Sequence, residues 1–303
     1  MSAGNGFSCG LGTGFRVHCW GVNDYGQLGD GSTQYRESPT QVASGLRFRQ
    51  VVAGGYHACA IGYSDSLAYC WGGNSSGQLG DRTTNNRLVP VPVFGGRRWL
   101  QLSAGGQHTC GLAISRQLYC WGRNYYGQLG DSTGVGHFSP VRVAAGTLKF
   151  RQVSAGSLHT CAVSTTARAY CWGKNRWGAL GIGKTYLQLR KRLWPVAVVG
   201  GLSFESIGAG GSVDGFTCGA TILHRTYCWG SGGFLGDGTT LERSNPVPVA
   251  GSLALVQIST GAHHTCGTAA SGIGYCWGDN LSGQLGDGTT TRRLRPVAIA
   301  GPK

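Results

Sequence analysis

The tripeptide Cys-Trp-Gly occurs six times in this chain, its tryptophans at Trp20, Trp71, Trp121, Trp172, Trp229 and Trp277, spaced by 51, 50, 51, 57 and 48 residues. A near-constant period of this size marks one supersecondary unit copied along the chain, each copy needing its neighbours to bury its apolar face. The surrounding residues repeat with it. N-x-x-G-Q-L-G-D follows in full at residues 23–30, 74–81, 124–131 and 280–287, in altered form at 175–182 and shortened at 231–237. A proline then opens a β-branched stretch in every copy (Pro39, Pro90, Pro140, Pro195, Pro246 and Pro296), and a strand-like F-x-x-V-S-A-G segment comes next, as at residues 48–54, 99–105 and 150–156. The unit closes with H-T-C-A/G and a hairpin that leads into the next Cys-Trp-Gly.

Four short strands in about 50 residues match the size and strand count of a propeller blade. Six such units predict an all-β, six-bladed β-propeller with four-stranded blades, one domain over residues 1–303. A solenoid would need atypical capping repeats, whereas the end copies here match the middle ones. Glycine fills 55 positions without a Gly-X-Y period, which excludes collagen and disfavours long helices, each internal glycine costing about 1 kcal/mol relative to Ala. Hydrophobic residues reach 41%, too many for a disordered chain, yet no apolar run could span a bilayer as a helix. No signal peptide is visible in the first ten residues. The F-x-x-V strand is found only five times. Ser2-Ala3-Gly4 aligns with its end, and the chain reaches Ala300-Gly301 where another copy would start. The expectation is a closing blade one strand short, completed by a longer parent chain or a strand-complementing neighbour, since an open edge invites pairing. Trimming from a longer chain would also account for the absent signal peptide.

The W-G-x-N-x-x-G-Q-L-G signature, the Pro-Val-x-Val stretch and the G-x-x-H-T segment together resemble the regulator-of-chromosome-condensation repeat family, over essentially the whole chain. The resemblance implies a β-propeller. It does not choose a function, because this fold hosts exchange factors, a plant photoreceptor, a β-lactamase inhibitor and many adaptors. Photoreceptor members carry Trp in a G-W-R-H-T pattern, and the corresponding slots here hold Gly55, Gly106, Ser157 and Ala262. Ultraviolet sensing by that route is therefore not expected. The name-giving member implies an alternative reading as a guanine-nucleotide exchange factor or a nucleic-acid- or chromatin-associated regulator. Exchange needs a loop that pries open a nucleotide site, and no long insertion stands out beyond residues 184–216.

The twelve cysteines fall into six pairs: Cys9 with Cys19, Cys59 with Cys70, Cys110 with Cys120, Cys161 with Cys171, Cys218 with Cys228 and Cys266 with Cys276. Each pair flanks one predicted hairpin, so its members can face each other across adjacent antiparallel strands at disulfide distance. Closing so short a loop would stabilise a blade by up to about 3 kcal/mol in the chain-entropy picture. The alternative is six pairs of reduced, buried thiols. Intact pairing with no odd cysteine points to an oxidising, extracellular or cell-surface setting. Disulfide-bearing copies resemble the extracellular propellers of Crinkly-type plant receptor kinases and secreted bacterial members.

Catalytic chemistry is not expected, and no cofactor is implied. Of the twelve acidic residues five are the repeat Asp30, Asp81, Asp131, Asp237 and Asp287, which leaves little for paired carboxylates. No G-x-S-x-G, Walker A or H-E-x-x-H occurs. His57, His108, His159 and His264 each precede a Cys by two residues and would share its strand face, but no C-x-x-C completes a zinc set. The Asp-Gly steps read as turns rather than calcium loops. Two glycosylation sequons, at Asn74 and Asn280, coincide with the repeat Asn.

The net charge of +14 is concentrated. Residues 1–131 hold ten basic and six acidic side chains, residues 132–204 ten basic and none acidic, and residues 205–303 six of each. Arg outnumbers Lys by 21 to 5, which favours bidentate recognition of carboxylate or phosphate. In the third and fourth repeats Arg123, Tyr125, Tyr126, Lys174, Arg176 and Trp177 occupy equivalent loops, extended by Lys184, Arg190, Lys191, Arg192 and Trp194. Aromatic and Arg enrichment is the composition of interface hot spots. A solvated basic face is the bland reading. These eleven residues are the expected contact set for an acidic protein or anionic glycan, with nucleic acid less favoured and no membrane span.

Overall fold

The computed structural model describes residues 1–251 and 253–300, so the expectation placed on Gly301 lies outside the described residues. The strands of the six blades run in chain order. They are β1 (Ser2–Ala3), β2 (Phe7–Leu11), β3 (Val17–Gly21) and β4 (Arg36–Gln41), then β5 (Phe48–Ala53), β6 (His57–Gly62), β7 (Ala68–Gly72) and β8 (Arg87–Pro92). The third blade holds β9 (Trp99–Ala104), β10 (His108–Ala113), β11 (Leu118–Gly122) and β12 (His137–Arg142). Next come β13 (Phe150–Ala155), β14 (His159–Ser164), β15 (Ala169–Lys174) and β16 (Lys191–Ala197). The last two blades are β17 (Phe204–Gly210), β18 (Phe216–Thr221), β19 (Thr226–Gly230) and β20 (Arg243–Pro248), and β21 (Leu255–Thr260), β22 (His264–Ala269), β23 (Gly274–Gly278) and β24 (Arg293–Ala298). Each group forms one four-stranded sheet in that order. The protein is a six-bladed β-propeller with four-stranded blades and one disulfide per blade. Its internal contacts divide it into two units, Met1–Ala155 and Gly156–Lys303.

The strand expected to be missing from the first blade is present in short form. Ser2 and Ala3 pair antiparallel with Cys9 and Ser8, a two-residue strand where the other blades place six or seven residues.

All twelve cysteines are oxidised in the pairs that the hairpins predict. In the first unit Cys9 is bonded to Cys19, Cys59 to Cys70 and Cys110 to Cys120. In the second unit Cys161 is bonded to Cys171, Cys218 to Cys228 and Cys266 to Cys276. The alternative of reduced, buried thiols is set aside by this pairing. Its cause is register: the two cysteines of each hairpin stand directly opposite, as in Cys9↔Cys19, Cys171↔Cys161, Cys228↔Cys218 and Cys276↔Cys266. Their Cα atoms lie 4.1 Å apart in all six disulfides.

The other repeated residues explain the rest of the repeated geometry. The glycine of Cys-Trp-Gly sits at a bulge against the outer strand, for example between Cys70 and Gly72. Gly72 takes φ +97°, and a Cβ there would lie 2.7 Å from the Tyr56 carbonyl oxygen, so only glycine fits. Among the described residues proline is confined to the outermost strand of each sheet (Pro90 in β8, Pro246 in β20), where its missing N–H costs no ladder bond.

Blades are joined by specific contacts as well as by apolar burial. In the first unit the Trp71 indole donates to the Gln27 carbonyl at 3.0 Å and that of Trp121 to the Gln78 carbonyl at 2.9 Å. In the second unit Trp229 does the same with Ala179, at 2.9 Å, and Trp277 with Phe234, at 3.0 Å. At these four junctions the Q-L-G segment of the loop, or its A-L-G or F-L-G equivalent, thus latches onto the tryptophan of the next blade. The glycine of that segment lies flat on the indole: a Cβ on Gly29, Gly80, Gly181 or Gly236 would fall 2.6–2.8 Å from it. The first strands of neighbouring blades are tied by Gln50, which donates to the Leu102 carbonyl (3.2 Å) and accepts from the Leu102 amide (2.8 Å).

Candidate functional site

In the first, second, third and sixth copies the loop after Cys-Trp-Gly is built around its Asn and Asp. In the second blade the Asn74 amide donates to Asp81 Oδ1 and to the carbonyls of Thr83 and Asn85, while Asn74 Oδ1 accepts from the Leu79 amide. Asp81 Oδ1 also accepts from the Thr83 amide and hydroxyl, and Oδ2 takes the Arg87 guanidinium at 2.8 Å. Burial raises the Asp81 pKa, but the hydrogen bonds from Thr83, Arg87 and Asn74 outweigh it and hold the carboxyl below the usual carboxylate range. The same Arg–Asp pair closes the loop at Arg36–Asp30 (2.9 Å), Arg243–Asp237 (3.1 Å) and Arg293–Asp287 (2.7 Å), and His137–Asp131 replaces it in the third repeat at 3.1 Å.

The fourth repeat breaks this arrangement. Arg192 stands opposite Gly173 in the register that Arg87 and Arg36 occupy opposite Gly72 and Gly21, so it is the equivalent cation. Its expected carboxylate is Ile182. Among the described residues no ion pair joins Arg192 to an acid, and its Nε is buried with no hydrogen-bond partner. The loop is also longer: Asn175 Nδ2 reaches the Leu189 carbonyl 14 residues on, where the other copies reach 11. The added residues fold into a turn from Thr185 to Gln188 and expose Lys184, Arg190 and Lys191. Trp194 is 45% and Leu187 93% exposed. The Arg192 guanidinium carbon lies 5.8 Å from the Trp194 ring centre.

The other residues of the expected contact set divide differently. Lys174 is buried at the end of β15, where it stands opposite Lys191, and so leaves the surface set. Arg176 and Trp177 both turn to Asp214, the guanidinium at 3.3 Å and the indole donating at 2.9 Å, which commits them to holding the segment before β18. In the first unit Arg123 donates to Gln107 Oε1 (2.7 Å), and the exposed Tyr125 meets Tyr126 edge-on at 4.9 Å. The Arg–Asp loop pair was not among the expectations, although an Arg six residues after each of Asp30, Asp81, Asp237 and Asp287 was a legible signal.

Three further expectations resolve on geometry. His57 is fully buried, its Nε2 2.8 Å from the Thr109 hydroxyl, which donates to the Gln78 carbonyl. His159 and Thr217 repeat this at 3.0 Å, so these histidines link blades, and their cysteine neighbours are held in disulfides. Burial lowers both imidazole pKa values to about 4. Asn74 and Asn280 are also buried, and the Asn280 amide is taken up by Asp287 and the carbonyls of Thr289 and Thr291. Neither sequon presents its nitrogen in the folded protein. At the Gly55 slot a Cβ would lie 2.4 Å from the Gly106 carbonyl oxygen, so a tryptophan has no room there.

Loops of this construction on a repeated four-stranded blade define a class of loop-presenting propellers. The chain belongs to the family described as Regulator of chromosome condensation (RCC1) repeat, whose models match residues 16–61, 65–112 and 117–163, and 48–78, 99–128 and 150–178. It is 31% identical over 293 residues to the Ultraviolet-B receptor UVR8 of Arabidopsis thaliana, covering 94% of this chain and 66% of the receptor. The chain thus spans just under two thirds of that relative's length. Two solved structures share the fold: human WBSCR16, with TM-score 0.88 and 20% identity over 99% of this chain and 81% of that one, and yeast RCC1 (Prp20) bound to Kap60, with TM-score 0.85 and 19% identity over 99% and 74%.

Proposed function

We propose that this chain is a non-catalytic, protein-binding propeller of an oxidising, extracellular or cell-surface setting, and that its fourth-repeat loop takes an acidic side chain from a partner. One observation carries the reading. Arg192 keeps the position of the loop-closing cation but has lost its carboxylate to Ile182, and a partner's Asp or Glu would restore the pair that the other loops make internally. A planar guanidinium accepts a carboxylate bidentately, and the same loop carries the exposed Lys184, Arg190 and Lys191 and holds no acid. The rigid blades hold the loop in place, so little ordering entropy would be lost on binding. Six disulfides support the oxidising setting. Protein binding has a precedent in the yeast RCC1 (Prp20) propeller crystallised with Kap60. The loop carboxylates of Asp30, Asp81, Asp237 and Asp287 are engaged by arginines, which leaves them structural rather than catalytic. The Gly55 packing leaves no room for the tryptophan of a G-W-R-H-T pattern.

The test is direct. Binding to an immobilised polyglutamate peptide and to heparin is measured for the wild type, Arg192→Ala and Ile182→Asp. Arg192→Ala should weaken peptide binding about tenfold or more, the loss of one charge-assisted pair. Ile182→Asp should weaken it similarly by supplying the carboxylate from within. Peptide affinity that is the same in all three proteins refutes the assignment, and binding to heparin alone would make an anionic glycan the ligand.

A further inference from the structure

In the first unit the charges are sorted between the two ends of the strands. The β2–β3, β6–β7 and β10–β11 turns and the connections that leave β4, β8 and β12 lie at one end. They carry Arg16, Arg47, Arg97, Arg98, Arg116 and Lys149 against a single acid, Asp65. The long loops at the other end, between β3 and β4, β7 and β8, and β11 and β12, carry four acids, Asp24, Asp30, Asp81 and Asp131, and two cations, Arg82 and Arg123. A count along the chain hides this division, because the two ends alternate every few residues.

Hydrogen bonds knit the turn end into one surface across three blades. Arg16 Nη1 donates to the Ser44 and Leu46 carbonyls, both at 3.2 Å. The Tyr63 amide donates to the Arg47 carbonyl (2.8 Å), the Trp99 amide to that of Ser66 (2.9 Å) and the Ile114 amide to that of Arg98 (3.2 Å). Lys149 Nζ reaches the Ser115 carbonyl at 3.2 Å. Arg47, Arg98, Arg116 and Lys149 are exposed. Among the described residues none of the five arginines is in an ion pair, and Asp65 is turned to the Leu67 amide and the Tyr69 hydroxyl. An aromatic pair stands beside these cations: Phe15 is 44% and Tyr63 51% exposed, with ring centres 4.4 Å apart. Phe15 takes φ +62° and Arg116 φ +63°, a region that bulky side chains rarely enter, and such outliers gather at ligand-binding sites.

We propose that the turn end of the first unit binds a linear anionic polysaccharide, its sulfate or carboxylate groups taken by Arg47, Arg98, Arg116 and Lys149 and a sugar ring stacked on Phe15 and Tyr63. Cations spread over three blades suit an extended polyanion rather than one small anion. Guanidinium forks pair bidentately with such oxyanions, and exposed aromatic rings pack on the apolar C–H face of a sugar. A glycan, rather than a nucleic acid or an anionic lipid surface, follows from the oxidising, extracellular setting proposed above, on which this part of the inference rests. The surface shares no residue with the fourth-repeat loop.

Titration calorimetry of the oxidised full chain at physiological salt tests this, with a heparin dodecasaccharide as the sulfated probe and an oligogalacturonate of equal length as the carboxylate probe. The triple reversal R47E/R98E/R116E should lower affinity for whichever glycan binds by about tenfold or more. The reversal K184E/R190E/K191E makes the same change of net charge and should lower it by no more than about threefold. Phe15→Ala with Tyr63→Ala should weaken glycan binding with every cation in place. The milder R47Q/R98Q, its fold checked by melting temperature and by intact mass for six disulfides, should give an intermediate loss. No binding to either glycan, or equal losses in the two triple variants, overturns the site. Binding at least as tight to a single-stranded oligonucleotide or to phosphatidylserine vesicles overturns the glycan as its ligand. That result places the fault in the proposed setting rather than in the surface, so the two failures are told apart.

Discussion

The buried histidines show how much a single side chain carries. His57 and His159 sit in dry surroundings with one ring nitrogen bound to a threonine hydroxyl on the next blade. The folded protein keeps them neutral down to about pH 4, whereas an unfolded chain protonates its histidines near pH 6.5. Between those values the unfolded state binds more protons, so stability falls as pH falls, by up to about 1.4 kcal/mol per pH unit for each histidine. Urea midpoints measured at pH 7, 5.5 and 4 should therefore decline steadily, and Thr109→Val should cost about 1–3 kcal/mol at pH 7 by leaving the buried His57 nitrogen unpaired, while the Gln78 carbonyl keeps the Trp121 indole. Below this window the loop carboxylates add to the loss, since Asp30 and Asp81, held below the ordinary range, protonate there. The histidine-to-threonine link could not be read from the sequence. His57 and Thr109 are 52 residues apart, and only the repeat superposition in space brings them together.

At the scale of the element, the hairpin and the loop behave as independent staples. Each disulfide closes a separation of ten or eleven residues between facing strands, so replacing Cys59 and Cys70 together by Ala should destabilise that blade by about 2–3 kcal/mol while the other five disulfides stay intact. Thermal unfolding followed by calorimetry, with peptide mapping of the remaining bridges, checks this. Glycine tests the loop from the other side. Gly80→Ala would push a methyl group to within 2.7 Å of the Trp121 indole at φ +71°, and its melting temperature should fall by several degrees, more than for an alanine at the open Gly95. Strands, hairpins and cysteine pairing were legible in the sequence because they are local and copied six times. The Arg–Asp closure was legible in principle at a spacing of six. Its absence in the fourth repeat became meaningful only once the register placed Arg192 where Arg87 sits.

For the whole molecule, six oxidised cysteine pairs with no free cysteine among the described residues predict an intact-mass increase of twelve hydrogens on denaturing reduction, and none in a sample already fully reduced. Twelve free thiols in protein recovered from its native source would remove the basis for an extracellular setting. The sequence placed the positive charge correctly along the chain but not in space: of its eleven candidates Lys174 is buried, and Arg176 and Trp177 are turned to Asp214. A charge count registers how many cations a segment holds, and only packing decides which of them reach solvent.

What the sequence determined by itself is the repeated unit: six blades, their strands, their disulfides and the family, because each rests on contacts between residues close in the chain and on a pattern written six times. What the tertiary structure decided is which copy differs in consequence. Ile182 is one apolar residue among many until Arg192 is seen to stand without its acid. The reason is physical: burial and pairing are properties of neighbours in space, and a blade obtains those neighbours from residues about fifty positions away.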